Sequence, residues 1–90
     1  MKLNVNPMQE RKIDKIENDK FGTKRTFDKK GNLIRETLSN DTIRIYNEKN
    51  VHIRTIFPNG QIDDYDPETG NNIQKTFPSG IIHRYPPNKE

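Results

Sequence analysis

The sequence predicts an all-β chain: a sequential antiparallel meander of about seven or eight short strands, largely a single-layer sheet, built from 19-residue hairpin repeats. Three observations carry that expectation. Equivalent residues recur every 19 positions. Turn residues stand at fixed places between short runs rich in Ile, Thr and aromatics. Apolar residues make up only 28% of the 90 positions and charged residues 32%, with Trp, Cys and Ala absent. So little apolar surface cannot offset a conformational entropy of roughly 1 to 2 kcal/mol per ordered residue around a thick core.

In chain order, residues 1–10 predict a flexible basic tail, 11–85 a single β-repeat domain with clear repeats at 27–85, and 86–90 a second tail. The stretch "KIDKIENDKFGTKRTF" predicts one further hairpin, with Gly22 in the column of Asp41, Gly60 and Gly80 and with Ile16 beside Phe27. Phe27, Tyr46, Tyr65 and Tyr85 then open successive units, the third one residue longer. Further columns are Asp28, Asn47 and Asp66; Gly31, Asn50 and Gly70; Ile34, Ile53 and Ile73; Leu38, Phe57 and Phe77; and Ile43, Ile62 and Ile82.

The turns explain the spacing. In Pro58-Asn59-Gly60 and Pro78-Ser79-Gly80, Pro presets the first turn position and Gly accepts the left-handed conformation that follows. Such three-residue loops pair Phe57 with Gln61 and Phe77 with Ile81. Lys30-Gly31 and Lys49-Asn50 predict two-residue type I′ loops, and Glu68-Thr69-Gly70 a three-residue loop. Gly31, Pro58, Gly60, Gly70, Pro78 and Gly80 are therefore the turn-defining residues, and Pro86-Pro87 stops the last strand and blunts that edge.

A hairpin register fixes which side chains share a face. One face receives a continuous cross-strand row of Phe27, Ile34, Tyr46, Ile53, Tyr65, Ile73 and Tyr85. It also receives a row of Leu38, Thr42, Phe57, Gln61, Phe77 and Ile81. Between them runs a polar row, Glu36, Arg44, Thr55, Asp63, Lys75 and His83, with Arg44 opposite Glu36 and Lys75 opposite Asp63. The reverse face receives Thr37, Ile43, Ile56, Ile62, Thr76 and Ile82, beside Arg35, Ile45, Arg54, Asp64, Gln74 and Arg84. Neither face is purely apolar, so a two-layer sandwich is disfavoured. Seven or eight strands at about 4.8 Å each give a sheet about 35 Å across.

The net charge of +3 resides at the N-terminus: residues 1–30 hold nine Lys or Arg against five acids, residues 31–90 seven against eight. With no Cys there is no disulfide framework, thiol nucleophile or zinc-thiolate site. The N-terminal residues lack the apolar run of a signal peptide and no segment has transmembrane length, which predicts a cytoplasmic chain with no membrane insertion.

Sites for chemistry are sparse. His52 and His83 have no His, Asp or Glu at ligand spacing. Asp63 and Asp64 of "DDYD" alternate to opposite faces, and Asp66 begins a turn. Ser39 and Ser79 occupy turns without a base and acid, each Gly is isolated at a turn, and the Asn40-Asp41-Thr42 sequon reads as a turn. The expectation is no catalytic residue, no metal, no cofactor and no enzyme.

The alternation of "FPNG" and "FPSG" with short charged strands resembles the C-terminal repeat of T-complex protein 10 and the centriolar G-box. That likeness covers residues 27–85. It implies a free-standing antiparallel sheet with solvent on both faces that binds a proline-containing peptide and self-associates. Ser39-Asn40-Asp41 and Asn47-Glu48-Lys49-Asn50 depart from its turn pattern. "YDPETGNNIQKT" is similar to short repeats of unknown function in phytoplasma proteins, and "FDKKGN" more loosely to the YD repeats of Rhs-type toxins.

Two binding readings result. In the preferred one, Tyr46, Ile53, Phe57, Tyr65, Ile73, Phe77 and Tyr85, with an open edge, dock a protein or peptide partner or another copy of the chain. The same aromatics also serve simply to hold the sheet together by cross-strand contact. In the alternative, Phe27, Tyr46, Tyr65 and Tyr85 stack nucleic-acid bases beside the basic N-terminal segment. The acids among the same strands weigh against that. A small bacterial effector or repeat protein is a further alternative.

Overall fold

The structure, a computed structural model, describes residues 11–85; the expected tails at 1–10 and 86–90, with Pro86-Pro87, lie outside them. Eight strands follow in order: β1 (Lys15–Asn18), β2 (Lys24–Phe27), β3 (Leu33–Thr37), β4 (Ile43–Tyr46), β5 (His52–Ile56), β6 (Ile62–Tyr65), β7 (Asn72–Thr76) and β8 (Ile82–Arg84). Each pairs antiparallel with its neighbours in sequence, forming one open sheet in the order β1 to β8. The fold class is the one the sequence predicts, and the further hairpin before Phe27 is present as β1 and β2.

At one end of the sheet four turns share a geometry. The Leu38 N–H donates to the Thr42 carbonyl at 2.8 Å and the Asp41 N–H to the Leu38 carbonyl at 2.9 Å. The same pair of bonds closes the turns at 19–23, 57–61 and 77–81. The last loop residue, Gly22, Asp41, Gly60 or Gly80, has positive φ in each.

At the other end the expected two-residue type I′ loops do not form. The Asp28 N–H donates to the Asn32 carbonyl and the Asn47 N–H to the Val51 carbonyl, both at 2.9 Å, so each loop has three residues. Type I′ requires positive φ at two successive residues. Here only Gly31 and Asn50 adopt it, and the Cβ-bearing Lys30 and Lys49 stay in the ordinary region. The starting side chain reinforces the choice: Asp28 Oδ1 accepts from the Lys30 and Asn32 amides, and Asn47 Oδ1 from those of Lys49 and Val51. The third loop, expected as 68–70, is 67–70, because the Asp66 N–H reaches the Asn71 carbonyl at 2.8 Å.

Longer loops displace the pairing next to them, and one-residue bulges restore it. Phe27 stands opposite Leu33, Tyr46 opposite His52 and Tyr65 opposite Asn72; one step further in, Thr26 faces Arg35, Ile45 faces Arg54 and Asp64 faces Gln74. Ile34, Ile53 and Ile73 are the extra residues. The continuous row that sets them directly across from Phe27, Tyr46 and Tyr65 is therefore corrected. So is the first hairpin, where Lys15 rather than Ile16 faces Phe27.

Beyond the bulges the expected register holds. Glu36, Arg44, Thr55, Asp63, Lys75 and His83 are successive cross-strand partners, and Arg25 and Glu17 extend the row to β1. We call this face the front. Among the described residues no hydrophobic side chain is buried; the buried residues are Thr26, Glu36, Thr42, Thr55 and Asp63. The molecule measures 40 × 38 × 26 Å, and the twist of the strands gives a single layer that third dimension.

Candidate functional site

The front face is organised around buried polar groups, and its two buried carboxylates, Glu36 and Asp63, are held by partners from neighbouring strands, as burial of polar atoms demands. Tyr46 Oη donates to Glu36 Oε1 at 2.7 Å and Arg25 Nε to Glu36 Oε2 at 2.9 Å, while Arg44 Nη1 lies 3.7 Å from Oε1. The expected Arg44–Glu36 pair is thus the looser one; Arg25 is the closer cation. Lys75 Nζ meets Asp63 Oδ2 at 3.0 Å, as the register predicts, and Gln61 Nε2 donates to Asp63 Oδ1 at 3.0 Å.

Burial pulls the Glu36 pKa upward, but the Tyr46 and Arg25 hydrogen bonds and the charges of Arg25 and Arg44 outweigh it and leave the carboxyl below its ordinary value. Burial and the bond to Glu36 push the Tyr46 phenol up. His52, which the bulge brings beside Thr55, stacks between Tyr46 and Tyr65 with ring centroids 5.5 and 4.8 Å away. Its Nε2 lies 2.8 Å from Thr55 Oγ1 and 3.0 Å from the Arg54 carbonyl oxygen. Burial lowers its pKa, favouring the neutral ring.

On the reverse face a groove of about 700 Å³ opens over Ile45, Ile53 and Ile73, bordered by Tyr65, Pro67 and Tyr85. Two reverse-row cations beside it are already engaged: Arg54 Nε with Asp64 Oδ1 at 2.6 Å, and Arg84 Nε with the neutral Gln74 Oε1 at 2.9 Å. At this end Arg11 ties several strands together, donating to the Leu33 and Tyr46 carbonyls and pairing with Asp28 at 2.7 Å.

The structure divides the seven sequence-predicted contact residues. Ile53, Tyr65, Ile73 and Tyr85 border the groove. Tyr46 is drawn into the front network through Glu36. Phe57 and Phe77 stand at the opposite end, where their backbones close the Pro-x-Gly turns. Three further residues are absent from the sequence-predicted contact set: His52, weighed there only as a metal ligand, Ile45, and Phe21. Phe21 is 73% exposed at the tip of the β1–β2 turn. Its signal was legible, because its column otherwise contains Asn40, Asn59 and Ser79.

Asp63 and Asp64 face opposite sides, paired with Lys75 and Arg54. Among the described residues no three His, Cys, Asp or Glu side chains gather as a metal site would require, and no helix is long and apolar enough to cross a membrane. Comparison with known protein families, with curated proteins and with solved structures finds no match for this chain.

Proposed function

We propose that this chain is a non-enzymatic β-repeat module that engages a protein or peptide, or another copy of itself, through an exposed sheet face or edge. One observation carries the reading: an eight-stranded layer in which no hydrophobic residue is buried among those described. Its isoleucines and aromatics all keep some surface that a partner can cover, and exposed apolar surface of this kind is what docking uses. The outer strands support the edge alternative, since β1 and β8 are exposed throughout and extended segments add to such edges through backbone hydrogen bonds. Nucleic-acid binding is the weaker reading. Arg25, Arg44 and Lys75 on the front face each sit beside a carboxylate, so phosphate would have to compete for them.

The test is the mass in solution across a concentration series, by light scattering coupled to size exclusion, with circular dichroism on the same samples. A β-rich species that grows with concentration supports self-assembly. A β-rich monomer directs the search to a protein or peptide, by affinity capture with the folded chain as bait. A monomer that captures no protein but binds single-stranded nucleic acid with steep salt dependence would overturn the proposal.

A further inference from the structure

The tip of the β1–β2 turn departs from its own repeat. In the three equivalent turns the middle loop residue locks the loop: Asn40 Oδ1 accepts from the Thr42 amide, Asn59 Oδ1 from Gln61 and Ser79 Oγ from Ile81. Phe21 cannot do this. Asp19 Oδ1 takes over instead, accepting from the Phe21 and Thr23 amides. Phe21 is left 73% exposed, with Lys20 Nζ 5.5 Å from the centre of its ring. A large apolar side chain at a loop tip with no part in closing the loop is available for contact with another molecule.

The reverse-face groove has the complementary character. Its floor of Ile45, Ile53 and Ile73 and its Pro67 flank are apolar, and about 700 Å³ has ample room for a phenyl ring. Its rim carries Asp66, with Glu68 two residues on in the same loop. Neither acid forms an ion pair among the described residues, and neither do Lys20 and Lys24 beside Phe21. Arg54 at the groove is neutralised by Asp64, while Arg84 on the same lining keeps its charge, bonded to the neutral Gln74. An apolar knob flanked by cations thus matches the side of the apolar groove where Asp66 and Glu68 stand, away from Arg84.

Knob and groove cannot meet within one chain. Gly22 lies against Ser39 at the end of the sheet that holds the 38–42 turn, whereas the groove abuts the 66–71 loop at the other end. We propose that Phe21 of one copy seats in the groove over Ile53 and Ile73 of a second copy, with Lys20 and Lys24 facing Asp66 and Glu68. The contact deepens the interaction reading above and rests on it. It joins two different surfaces, so it is either made twice, reciprocally, in an antiparallel pair or propagates from copy to copy.

The experiment is light scattering of the full chain at low and moderate salt, for wild type, Phe21→Ser, Phe21→Leu, Glu68→Lys and the double variant Lys20→Glu/Glu68→Lys. Circular dichroism verifies that each is folded. The expected result is association of the wild type, on the order of tenfold or more weaker for Phe21→Ser, nearly retained for Phe21→Leu, weakened for Glu68→Lys and regained in the double variant. NMR spectra on dilution then shift amides of the Phe21 turn together with Ile53, Asp66 and Ile73. Association unaffected by Phe21→Ser, or shifts confined to β1 and β8, overturns this contact while leaving the interaction module standing. A wild type monomeric at every concentration overturns it too and leaves only a foreign partner for the module.

Discussion

Glu36 is where the front-face network converges, with Tyr46, Arg25 and Arg44 all reaching its two oxygens. Removing a buried charged acceptor strands its donors, so Glu36→Ala should lower the unfolding free energy by about 2 kcal/mol in urea titration. Arg44→Ala, at a 3.7 Å pair on a half-exposed side chain, should change it by less than about 0.5 kcal/mol. Equal effects would mean that Glu36 acts as one more surface charge. The same groups set the pH profile. Hydrogen bonds from Thr23, Phe21 and Arg25 hold Asp19 below its usual pKa, and those from Arg11, Asn32 and Lys30 hold Asp28 there. With Glu36 also depressed, these carboxylates contribute stability above their unfolded values of 3.8 and 4.5 and lose it as pH falls through the folded ones. His52 is depressed by burial, so its contribution is complete above 6.5 and is lost as pH falls through its folded value. Tyr46 is raised by burial and Lys75 by its bond to Asp63; their contributions are complete below 10.0 and 10.5 and lost above. Melting temperature should therefore be flat between pH 6.5 and 10 and fall on both sides, and His52→Phe should remove the first part of the acid decline.

Turns decide the elements, and two substitutions separate their contributions. Gly60 has φ of +95° and open space where a Cβ would stand, so Gly60→Val tests backbone conformation without a clash. It should destabilise by about 1 to 3 kcal/mol, more than Tyr65→Ala, which loses mainly the ring contact with His52, about 1 kcal/mol. The reverse ranking in denaturant titrations would sink the turn assignment. Asp41 sits at φ 75° in the same column, so Asp41→Gly should stabilise by about 0.5 to 1 kcal/mol. Asn50→Gly should gain less, because Asn50 Oδ1 accepts from the Leu33 amide and its Nδ2 reaches Asn32. These turns also mark how far the sequence could be read. The 19-residue period placed the strands after Phe27, the stretch before it suggested one further hairpin, and Pro-x-Gly gave the closing pairs Phe57–Gln61 and Phe77–Ile81. The loops at 28–32, 47–51 and 66–71 were misjudged because each contains one residue more than expected, and an equal number lost to a bulge leaves the register beyond unchanged. That compensation has no local sequence mark. It is why His52 rather than Ile53 came to lie between Tyr46 and Tyr65, and why the groove over Ile53 and Ile73 was not foreseen, although the polar row of Glu36, Arg44, Thr55, Asp63, Lys75 and His83 was.

At the scale of the molecule, each strand touches only its sequence neighbours among the described residues, and among these no apolar core ties distant strands together. Stability in such an array is close to a sum of hairpin terms and nearest-neighbour terms. A middle strand has two neighbours and an outer strand one, so the outer strands open at lower free energy than the centre. The front network sharpens this gradient, since its buried members Glu36, Thr55 and Asp63 lie in β3, β5 and β6 while β1 and β8 are exposed throughout. Native-state hydrogen exchange should accordingly find the slowest amides in β3 to β6, intermediate ones in β2 and β7, and the fastest among strand amides in β1 and β8. Arg11 gives a second handle, because it bonds carbonyls of β3 and β4 and the Asp28 carboxylate. Arg11→Ala should speed exchange in β2 to β4 and leave β6 and β7 unchanged. Uniform protection from β1 to β8, with Arg11→Ala lowering all of it equally, would instead mean that the sheet opens only as a whole and that its strands are coupled well beyond their neighbours.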